Sequence, residues 1–458
     1  MLTSFRLKNF KSFKEDAVLP LASLTVLIGA NAAGKSNALE GLRFLSWLAQ
    51  GNKLSNIQHA VNQADKVVRG RVPDIFQKGE TKFGLGCTMD AAGANVLDME
   101  LELRADDLHI VAERMGSGSG IPLYDMDQAS KGHSTEAGVA YNNFSKGGNK
   151  PHVPVSDQMA VFAQLDSPAS FHANHKSAQQ QIPKACKLYQ DLLSNVLFLD
   201  PVPAKMRDFS FLADKRLGGD GANLSSVLYR LWYRGMDKFT YELLVDLPED
   251  ERDGLQANFE RQEILSFIQS LPEQDIQGLS FLTGPRSDVM VQLVESFGGK
   301  QREYEAALLS DGTLRVLAIA AAMLSAPEGS LVVIEEIDNG VHPSRARHLL
   351  ERIQTVAERR KLRVLLSTHN PAMLDALPDK AVPDVVFCYR DPVEGDSRLV
   401  RLGSLPDAPE LLLQDTLGHL MTTGALERFV KTHQGPEARK AKAQAWLATL
   451  QATEGSGS

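Results

Sequence analysis

The chain has 458 residues, which is long enough to bury a large core and to form two or more structural units. Hydrophobic residues make up 43% of it and charged residues 23%, as in an ordinary soluble globular protein. The net charge of −8 at pH 7 excludes a globally basic nucleic-acid-binding protein, so any contact with DNA would need a local basic patch.

The cysteines and the apolar runs indicate in which compartment the protein is expected and whether it contacts a membrane. Cys87, Cys186 and Cys388 lie far apart without a CxxC spacing, which argues against a disulfide framework or a zinc site. They are typical of small buried side chains in a reducing compartment. The N-terminus begins as a strand rather than a signal peptide, and the longest apolar run, 316–324, is too short to span a bilayer. We therefore expect a cytoplasmic protein that makes no membrane contact.

The first 50 residues predict a strand, a turn, a second strand, a loop and a helix. Residues 5–13 alternate well enough for an edge strand. A short β-branched and apolar strand at 25–28 leads into a glycine-containing loop, and a helix is expected over 37–50. The loop consists of Gly29, Ala30, Asn31, Ala32, Ala33, Gly34, Lys35 and Ser36.

This strand, loop and helix match the setting of a phosphate-binding P-loop. Backbone N–H groups of the loop and the positive end of the helix, near Asn37, would surround a polyphosphate. Gly29 and Gly34 allow a close approach that a Cβ would block. Lys35 would reach the β- and γ-phosphates, and the Ser36 hydroxyl would hold Mg²⁺. The alternative is a chance Gly-Ala turn before a helix, which the preceding strand disfavours.

The middle of the chain predicts an antiparallel region and then an insert. Alternating runs separated by turns over 67–112 predict an antiparallel meander. Residues 115–157 are rich in Gly, Ser, Asn and Lys and predict long surface loops. Residues 176–270 are mainly helical in pattern, with prolines that exclude a sustained coiled coil. A strand pair is expected near 289–296 and 303–308.

Residues 309–370 alternate between helical and buried-strand patterns. The predicted elements are a long apolar helix ending at 325, a strand over 331–334, an amphipathic helix around 346–357 and a strand over 364–367. Strand–helix–strand alternation with apolar strands implies a parallel sheet with helices on its faces.

Polar side chains follow both of these strands. Glu335 and Glu336 end the first strand, and His369 follows the second. Ligands of a parallel sheet gather at the carboxyl ends of its strands, so these side chains converge on the P-loop if the strands are neighbours. Glu335 would then hold Mg²⁺, Glu336 would orient or deprotonate the attacking water, and His369 would hydrogen-bond the γ-phosphate. The alternatives are a solvated strand end and an ordinary satisfied histidine.

Together these motifs resemble those of the ABC-type ATPases, within the soluble group that includes SMC-like repair ATPases and OLD-family ATPases. The matching segments are Walker A at 29–36, the ABC signature at 309–313, Walker B with its adjacent glutamate at 331–336, the D-loop region at 337–343 and the switch-histidine loop at 367–371. The resemblance implies ATP and Mg²⁺ as cofactors.

The resemblance also implies composite sites between two copies of the chain. In ABC ATPases the signature of one subunit caps the nucleotide held by the Walker A motif of another. Ser310, Asp311 and Gly312 would form that cap, with Asp338 of the D-loop region contributing to the same site. Buried ATP would hold the two copies together until hydrolysis removes it.

Some features depart from the family pattern. Glu335 stands where Walker B usually has Asp, as in the OLD-like subgroup, and Asp311 stands where transporters usually have Gly. Gln77 is a candidate for the Q-loop glutamine. No acidic cluster near the C-terminus resembles a fused TOPRIM nuclease. The pair His172 and His175 has no third metal ligand in the sequence, so it predicts a polar loop.

These patterns predict an α/β fold of the ABC-type P-loop NTPases, with a mixed sheet flanked by helices, an antiparallel β lobe and a helical insert. The predicted divisions are the N-terminal half of the ATPase head at 1–113, the insert at 114–300, the C-terminal half of the head at 301–405, a helical tail at 406–452 and an appended Gly-Ser linker at 453–458.

The leading hypothesis is an ATP-hydrolysing switch that forms homodimers or higher oligomers and controls a separately encoded effector, such as a nuclease or toxin. By family analogy its setting is bacterial anti-phage defence. One alternative is a DNA repair or maintenance ATPase that clamps duplex DNA through a basic stretch at 345–363, although a solvated helix face explains the same residues. Another alternative is a non-hydrolysing ATP-gated scaffold.

Overall fold

The computed structural model describes residues 1–57, 67–91, 93–118, 120–132, 134–147, 150–233, 259–269 and 275–432. These residues form three β-sheets and the helices that cover them. The predicted Gly-Ser linker, the end of the predicted helical tail and the middle of the predicted helical insert lie outside the described residues.

The N-terminal elements lead into the glycine-containing loop. They are strands β1 (Leu2–Lys8), β2 (Ala17–Pro20) and β3 (Leu24–Ile28), followed by helix α1 (Lys35–Ala49). All residues of β3 are buried, because both faces of this strand are covered. β1 pairs with β2 on one side and with a strand at 82–89 on the other. The strand predicted at 5–13 is therefore an inner strand that ends at Lys8, and residues 9–13 form a turn rather than its continuation.

An eight-stranded antiparallel sheet forms one lobe. The remaining strands of this sheet are β4 (Lys82–Met89), β5 (Val96–Arg104), β6 (Asp107–Gly116), β7 (Tyr124–Gln128), β8 (Glu136–Tyr141) and β9 (His152–Ser156). Their spatial order is β2-β1-β4-β5-β6-β7-β8-β9. β4, β5 and β6 confirm the antiparallel meander that the sequence predicts.

The prediction of long loops over 115–157 is wrong, because this stretch continues the same sheet. In β8, Ala137, Val139 and Tyr141 are buried and alternate with more exposed residues. The strands are short, and the Gly-, Ser- and Lys-rich segments between them are turns. The composition of the whole stretch is dominated by its turns, so it does not reveal the alternation of buried and exposed residues within each strand.

Helices dominate the described part of the next segment, as predicted. It contains helices α2 (Lys176–Ser194), α3 (Pro203–Met206), α4 (Leu224–Trp232) and α5 (Phe259–Ile268), and strands β10 (Leu197–Leu199), β11 (Ser210–Phe211), β12 (Ile276–Thr283), β13 (Asp288–Phe297) and β14 (Lys300–Glu305). β13 pairs with β11, β12 and β14, so the predicted strand pair belongs to a four-stranded sheet. The three-residue strand β10 has no counterpart in the sequence prediction.

The C-terminal half completes a six-stranded sheet. Its elements are α6 (Asp311–Ser325), β15 (Leu331–Ile334), α7 (Pro343–Arg359), β16 (Arg363–Ser367), α8 (Pro371–Asp375), β17 (Val385–Arg390) and β18 (Ser397–Arg401). The spatial order is β10-β15-β16-β3-β17-β18. The first five strands are parallel, and β18 runs antiparallel to β17. This mixed sheet confirms the predicted α/β architecture.

The six-stranded sheet separates two hydrophobic cores. On one face, Leu27 and Val333 pack with α1 and the antiparallel sheet. On the other face, Val26 and Val332 pack with α6 and α7. Each fully buried aliphatic side chain of this kind contributes roughly 1.5–3 kcal/mol to stability. The sheet is therefore a well-supported platform for the loops at its carboxyl edge.

Three short helices follow the sheet: α9 (Ala408–Leu412), α10 (Leu417–Thr422) and α11 (Ala425–Thr432). Leu417, Leu420 and Leu426 anchor them on the second core. Within the ranges that the structure describes, no helix combines the length and apolar character needed to cross a lipid bilayer.

Candidate nucleotide site

The strand order gathers the predicted motifs at one edge of the parallel sheet. β15, β16 and β3 are direct neighbours and run in the same direction. Their carboxyl ends carry Glu335 and Glu336, then Thr368 and His369, then the loop that begins at Gly29. These segments are far apart in the sequence, and only the pairing of the strands brings them together.

The loop between β3 and α1 has the backbone of a phosphate cradle. Gly29 and Gly34 have φ values of 146° and 121°, which residues with a side chain rarely adopt. A Cβ at Gly29 would lie 2.1 Å from the carbonyl oxygen of Cys388, and one at Gly34 would lie 2.3 Å from Ser397 Oγ. α1 begins at Lys35 without a side-chain cap, so its first N–H groups suit an anion.

The side chain of Lys35 turns back toward the start of this loop. Its Nζ donates hydrogen bonds to the carbonyl oxygens of Gly29 at 2.6 Å and Ala30 at 3.1 Å. Burial lowers the pKa of Lys35, while Cys388 and Glu336 favour its charged form. A phosphate would offer this ammonium group a charged partner in place of neutral carbonyls. Ser36, the predicted Mg²⁺ ligand in the same turn, is exposed.

Glu335 is held between two strands and one helix. Its amide donates to the carbonyl oxygen of Leu199 at 3.0 Å, which continues the pairing of β10 with β15. Its Oε1 accepts a hydrogen bond from Arg43 Nη2 on α1 at 2.6 Å. Burial raises the pKa of the Glu335 carboxyl, Asp200 and Glu40 add to that rise, and Arg43 opposes it.

Glu336 and His369 face each other beside the P-loop. Glu336 has a φ of 47°, a strained value for a side-chain-bearing residue, and its amide donates to Ser367 Oγ at 3.0 Å. Its Oε2 accepts from Asn339 Nδ2 at 2.7 Å, and its Oε1 lies 3.7 Å from His369 Nε2. Both side chains remain about half exposed, so they are accessible from solvent.

The D-loop region contacts two other motifs of the same chain. Asp338 Oδ1 accepts a hydrogen bond from Thr368 Oγ1 at 2.6 Å, which ties it to the switch-histidine loop. A Cβ at Gly312 would lie 2.3 Å from the carbonyl oxygen of Gly340, so the start of α6 and the D-loop region touch. A nucleotide contact by Asp338, as predicted from the resemblance, would be additional to this bond.

The signature serine caps α6 and remains accessible. Ser310 Oγ accepts a hydrogen bond from the amide of Thr313 at 3.1 Å, and Ser310 is exposed. Asp311, the departure from the transporter pattern, pairs with Arg207 at 2.6 Å. Arg207 also donates to the carbonyl oxygen of Leu309 at 3.0 Å. The acidic residue in the signature is therefore neutralised by a neighbour that the sequence prediction did not identify.

A cleft of about 610 Å³ opens beside the first turn of α1. Its polar lining includes Ser12, whose Oγ accepts from Asn37 Nδ2 at 2.7 Å. Arg390 lines the same cleft and donates to the carbonyl oxygen of Ala32 at 3.1 Å. Gln77, the Q-loop candidate, also lies on its wall. Nothing in the sequence distinguishes Ser12 or Arg390 from ordinary turn and strand residues.

The residues of the site fit a magnesium nucleotide. Two glycines shape a cradle that Cβ atoms would fill, and Lys35 supplies a cation. Ser36 and Glu335 carry oxygen atoms of the kind that Mg²⁺ prefers and would be its ligands here. Among the described residues no group of three or more His, Cys, Asp or Glu side chains could hold a metal by itself. Phosphate oxygens would therefore complete the coordination, as is usual for Mg²⁺.

The histidine pair in the insert belongs to local structure. His175 Nδ1 lies 2.7 Å from the hydroxyl oxygen of Tyr141, and its ring centroid is 5.4 Å from that of His172. This arrangement is consistent with the polar loop that the sequence predicts.

A P-loop at the centre of a parallel sheet, joined to an antiparallel lobe and followed by a signature helix, defines a P-loop NTPase of the ABC type. The family model described as "AAA ATPase domain" matches residues 1–118. The model described as "AAA domain, putative AbiEii toxin, Type IV TA system" matches residues 171–375. The first match includes the P-loop, and the second includes the signature, Walker B and the switch-histidine loop.

Individual relatives agree with this class. The chain is 22% identical over 371 residues to the DNA replication and repair protein RecF of Pediococcus pentosaceus, covering 77% of this chain and 89% of the relative. It is 22% identical over 413 residues to an ATP/GTP phosphatase of Helicobacter pylori, covering 85% and 90%. These matches and the two family models support an ATP-binding protein of the P-loop ATPase class.

Two solved SMC heads are also similar to the chain. A head bound to the C-winged helix domain of ScpA is 12% identical, with a TM-score of 0.45 and coverage of 87% of this chain and 97% of that one. A head with an extended coiled coil, bound to the C-terminal domain of ScpA derived from Pyrococcus furiosus, is 13% identical, with a TM-score of 0.43 and coverage of 90% and 98%.

Proposed function

We propose that the chain is an ATP-hydrolysing switch that dimerises through two composite nucleotide sites. The observation that carries the proposal is the exposed signature Ser310 at the start of α6 in a chain that also holds a P-loop. A serine hydroxyl and a helix N-terminus form an anion-binding end for the γ-phosphate of ATP held by a second copy. Two copies related by two-fold symmetry would then complete each other's sites.

Within one copy, each residue at the carboxyl edge of the sheet would have its own role in binding or hydrolysis. Lys35 would exchange its carbonyl partners for the β- and γ-phosphates, and the cleft beside α1 would take the nucleoside. Ser36 and Glu335 would hold Mg²⁺, which when bound offsets the phosphate charge. Glu336 would orient or deprotonate water, and His369, 3.7 Å away, would contact the γ-phosphate.

The pairing of Arg207 with Asp311 supports a signature that faces phosphate. An unpaired carboxylate in the first turn of α6 would repel an approaching triphosphate. The guanidinium of Arg207 lies 2.6 Å from that carboxylate and offsets its charge. The departure from the usual signature glycine is therefore compatible with the composite site.

Mixing inactive variants tests the composite site directly. Lys35→Ala removes one half of a site and Ser310→Arg removes the other, so each variant alone should show no ATP turnover. In a symmetric dimer of randomly mixed copies, turnover should return to at most about a quarter of the wild-type value, because half of the dimers keep one of their two sites intact. Lys35→Ala mixed with Glu336→Gln is the matched control, since both changes affect the half-site of one chain, and no turnover should return. Failure of the first mixture to recover would refute the composite site.

The proposed output is control of a separately encoded effector in anti-phage defence. The family model over 171–375 is described as an AAA domain of a putative AbiEii toxin in a type IV toxin–antitoxin system, which supports a setting of that kind. That description applies to the domain itself, so the separately encoded effector comes from the family analogy. Protection of cells against phage by this chain with the product of an adjacent gene, and its loss in Lys35→Ala, would support this setting. Equal protection by Lys35→Ala would refute control by ATP.

A DNA repair or maintenance ATPase is the second candidate, favoured by the name of the RecF relative. The basic stretch that motivates it is largely engaged within the chain. Arg352 and Arg359 pair with Glu263, and Arg360 donates to carbonyl oxygens at the end of α6. ATP-dependent, salt-sensitive binding of duplex DNA without any partner would favour this candidate. Measurable ATP turnover would exclude the non-hydrolysing scaffold.

A further inference from the structure

Arg43 lies on α1 two turns beyond Lys35, about 12 Å further along the helix axis at 1.5 Å per residue. Its guanidinium is 4.9 Å from the ring centroid of Phe198, which holds the cation in a stacked position. From there its Nη2 donates to Glu335 Oε1 at 2.6 Å. Both side chains are only about a quarter exposed, so water screens this ion pair weakly.

The ion pair lies in an acidic setting. Asp200 follows β10 and Glu335 follows the neighbouring β15, so two carboxylates lie at adjacent strand ends. Glu40, one turn before Arg43 on α1, already has Lys11 and Arg69 as cationic partners. Among the described ion pairs, Glu335 takes part only in the one with Arg43.

A carboxylate in such a setting needs a cation, and two candidates compete for Glu335. One is the guanidinium that contacts it, and the other is the Mg²⁺ that Walker B is expected to hold. A divalent cation and a guanidinium at one carboxylate repel each other in a weakly screened site. Magnesium binding and the Arg43–Glu335 pair therefore oppose each other.

We propose that Arg43 is a positioning residue that occupies Glu335 in the nucleotide-free protein and yields it to the metal of a bound nucleotide. This inference rests on the proposed function, because it takes Glu335 as a ligand of the nucleotide's magnesium. It assigns to Arg43 a direct effect on metal affinity, in addition to any contribution to stability. Removing the guanidinium removes the competitor, so the metal binds more tightly.

The test measures metal binding rather than turnover. Full-length protein is mixed with a smaller amount of ADP, and Mn²⁺ is titrated while free Mn²⁺ is followed by electron paramagnetic resonance. Arg43→Gln should bind Mn²⁺ about tenfold more tightly than the wild type, the scale expected for loss of one charge-assisted competitor. Arg43→Lys, which retains the charge, should stay closer to the wild type.

Two control variants separate this effect from a general change in charge. Arg69→Gln also removes one positive charge near α1, but Arg69 contacts Glu40, so Mn²⁺ affinity should change less than twofold. In a Glu335→Gln background, adding Arg43→Gln should have no further effect, because the shared carboxylate is gone. If Arg43→Gln folds poorly, the measurement can be made on Arg43→Met, whose side chain retains the packing on Phe198 without the charge.

The outcomes are distinguishable. Unchanged or weaker Mn²⁺ binding in Arg43→Gln, with ADP still bound, would overturn the role of Arg43 and leave the proposed function standing. A tenfold gain that persists in the Glu335→Gln background would overturn it too, because the effect would not pass through Glu335. Absence of ADP binding by the wild type would overturn both proposals together.

Discussion

The carboxyl edge of the parallel sheet holds a partly buried glutamate and the interior of the antiparallel sheet a fully buried one, and burial raises the pKa of the carboxyl in both places. Glu335, at the parallel edge, faces an arginine together with nearby carboxylates. Glu113, on β6, accepts hydrogen bonds from the Tyr124 hydroxyl at 2.6 Å and from the amides of Val161 and Phe162 at 2.7 and 2.9 Å. One carboxyl is paired with a cation, and the other accepts hydrogen bonds from a hydroxyl and two backbone amides.

This contrast follows from sheet architecture. Parallel strands bring all their carboxyl ends to one edge, where loops remain accessible and side chains can exchange partners. In the antiparallel lobe, polar side chains inside the sheet can only pair with each other or with nearby backbone. His109 and Asp157, 2.7 Å apart and buried, form another such pair. A buried carboxyl therefore indicates a ligand site only where its partner can be displaced.

The largest effect is expected from Lys35→Ala at the parallel edge. Removing the cation that would contact the phosphates should abolish ATP binding in a calorimetric titration, while the melting temperature changes little. Lys82→Ala is the control, because this half-exposed lysine pairs with Glu100 in the antiparallel sheet, away from the P-loop. Retained ATP affinity in Lys35→Ala would remove the P-loop from its assigned role.

Glu336→Gln should separate binding from hydrolysis at the same edge. ATP should still bind, and turnover should fall roughly 10²–10⁴-fold, the usual contribution of a general base. Phosphate release under saturating ATP measures this, with Glu328→Gln as an exposed carboxylate control before β15. Wild-type turnover in Glu336→Gln would exclude Glu336 as the residue that activates water.

Glu113→Gln should alter the pH dependence of stability in the antiparallel lobe. Burial raises the pKa of Glu113 from 4.5 to about 7, so between these pH values the folded chain binds more protons than the unfolded chain. The free energy of unfolding of the wild type should therefore fall as pH rises through this window, by at most about 3 kcal/mol, and Glu113→Gln should lack this component. Urea unfolding at pH 5 and pH 8 measures the difference, with the half-exposed Glu100→Gln as control. Parallel profiles would contradict the assignment.

Tyr124→Phe should have the smallest effect. It removes one hydrogen bond to Glu113 and leaves the ring in place, so the free energy of unfolding should fall by about 1 kcal/mol. ATP affinity should equal that of the wild type, because Tyr124 lies in the other lobe. A change in ATP affinity would mean that the two regions are coupled more strongly than their contacts suggest.

The parallel half of the fold could be predicted because its signals are local. A strand buried on both faces reads as a continuous apolar run, as at 331–334, and the P-loop requires glycine at particular positions. The predicted motif residues consequently fall at strand ends. Their roles in binding and hydrolysis remain predictions.

Other features depend on contacts that no local pattern encodes. β10 has three residues and owes its place to pairing with β15. Arg43 lies within an otherwise ordinary amphipathic helix, and its partner is a glutamate from the distant end of β15. β7, β8 and β9 are short strands between turn-rich segments, so composition favoured the turns. In each case the tertiary neighbour, rather than the residue itself, decides the structure.

The contact between Gly312 and Gly340 has a mechanical consequence. Because these two backbones touch, displacement of the signature would also move the D-loop region, whose Asp338 is bonded to the loop that bears His369. In a dimer of the proposed kind, the signature of one copy would close on the nucleotide held by its partner. That movement would also shift the loop that bears His369 beside the first copy's own nucleotide. The rate of hydrolysis at one site would then respond to closure of the other, while each site would still be able to turn over by itself.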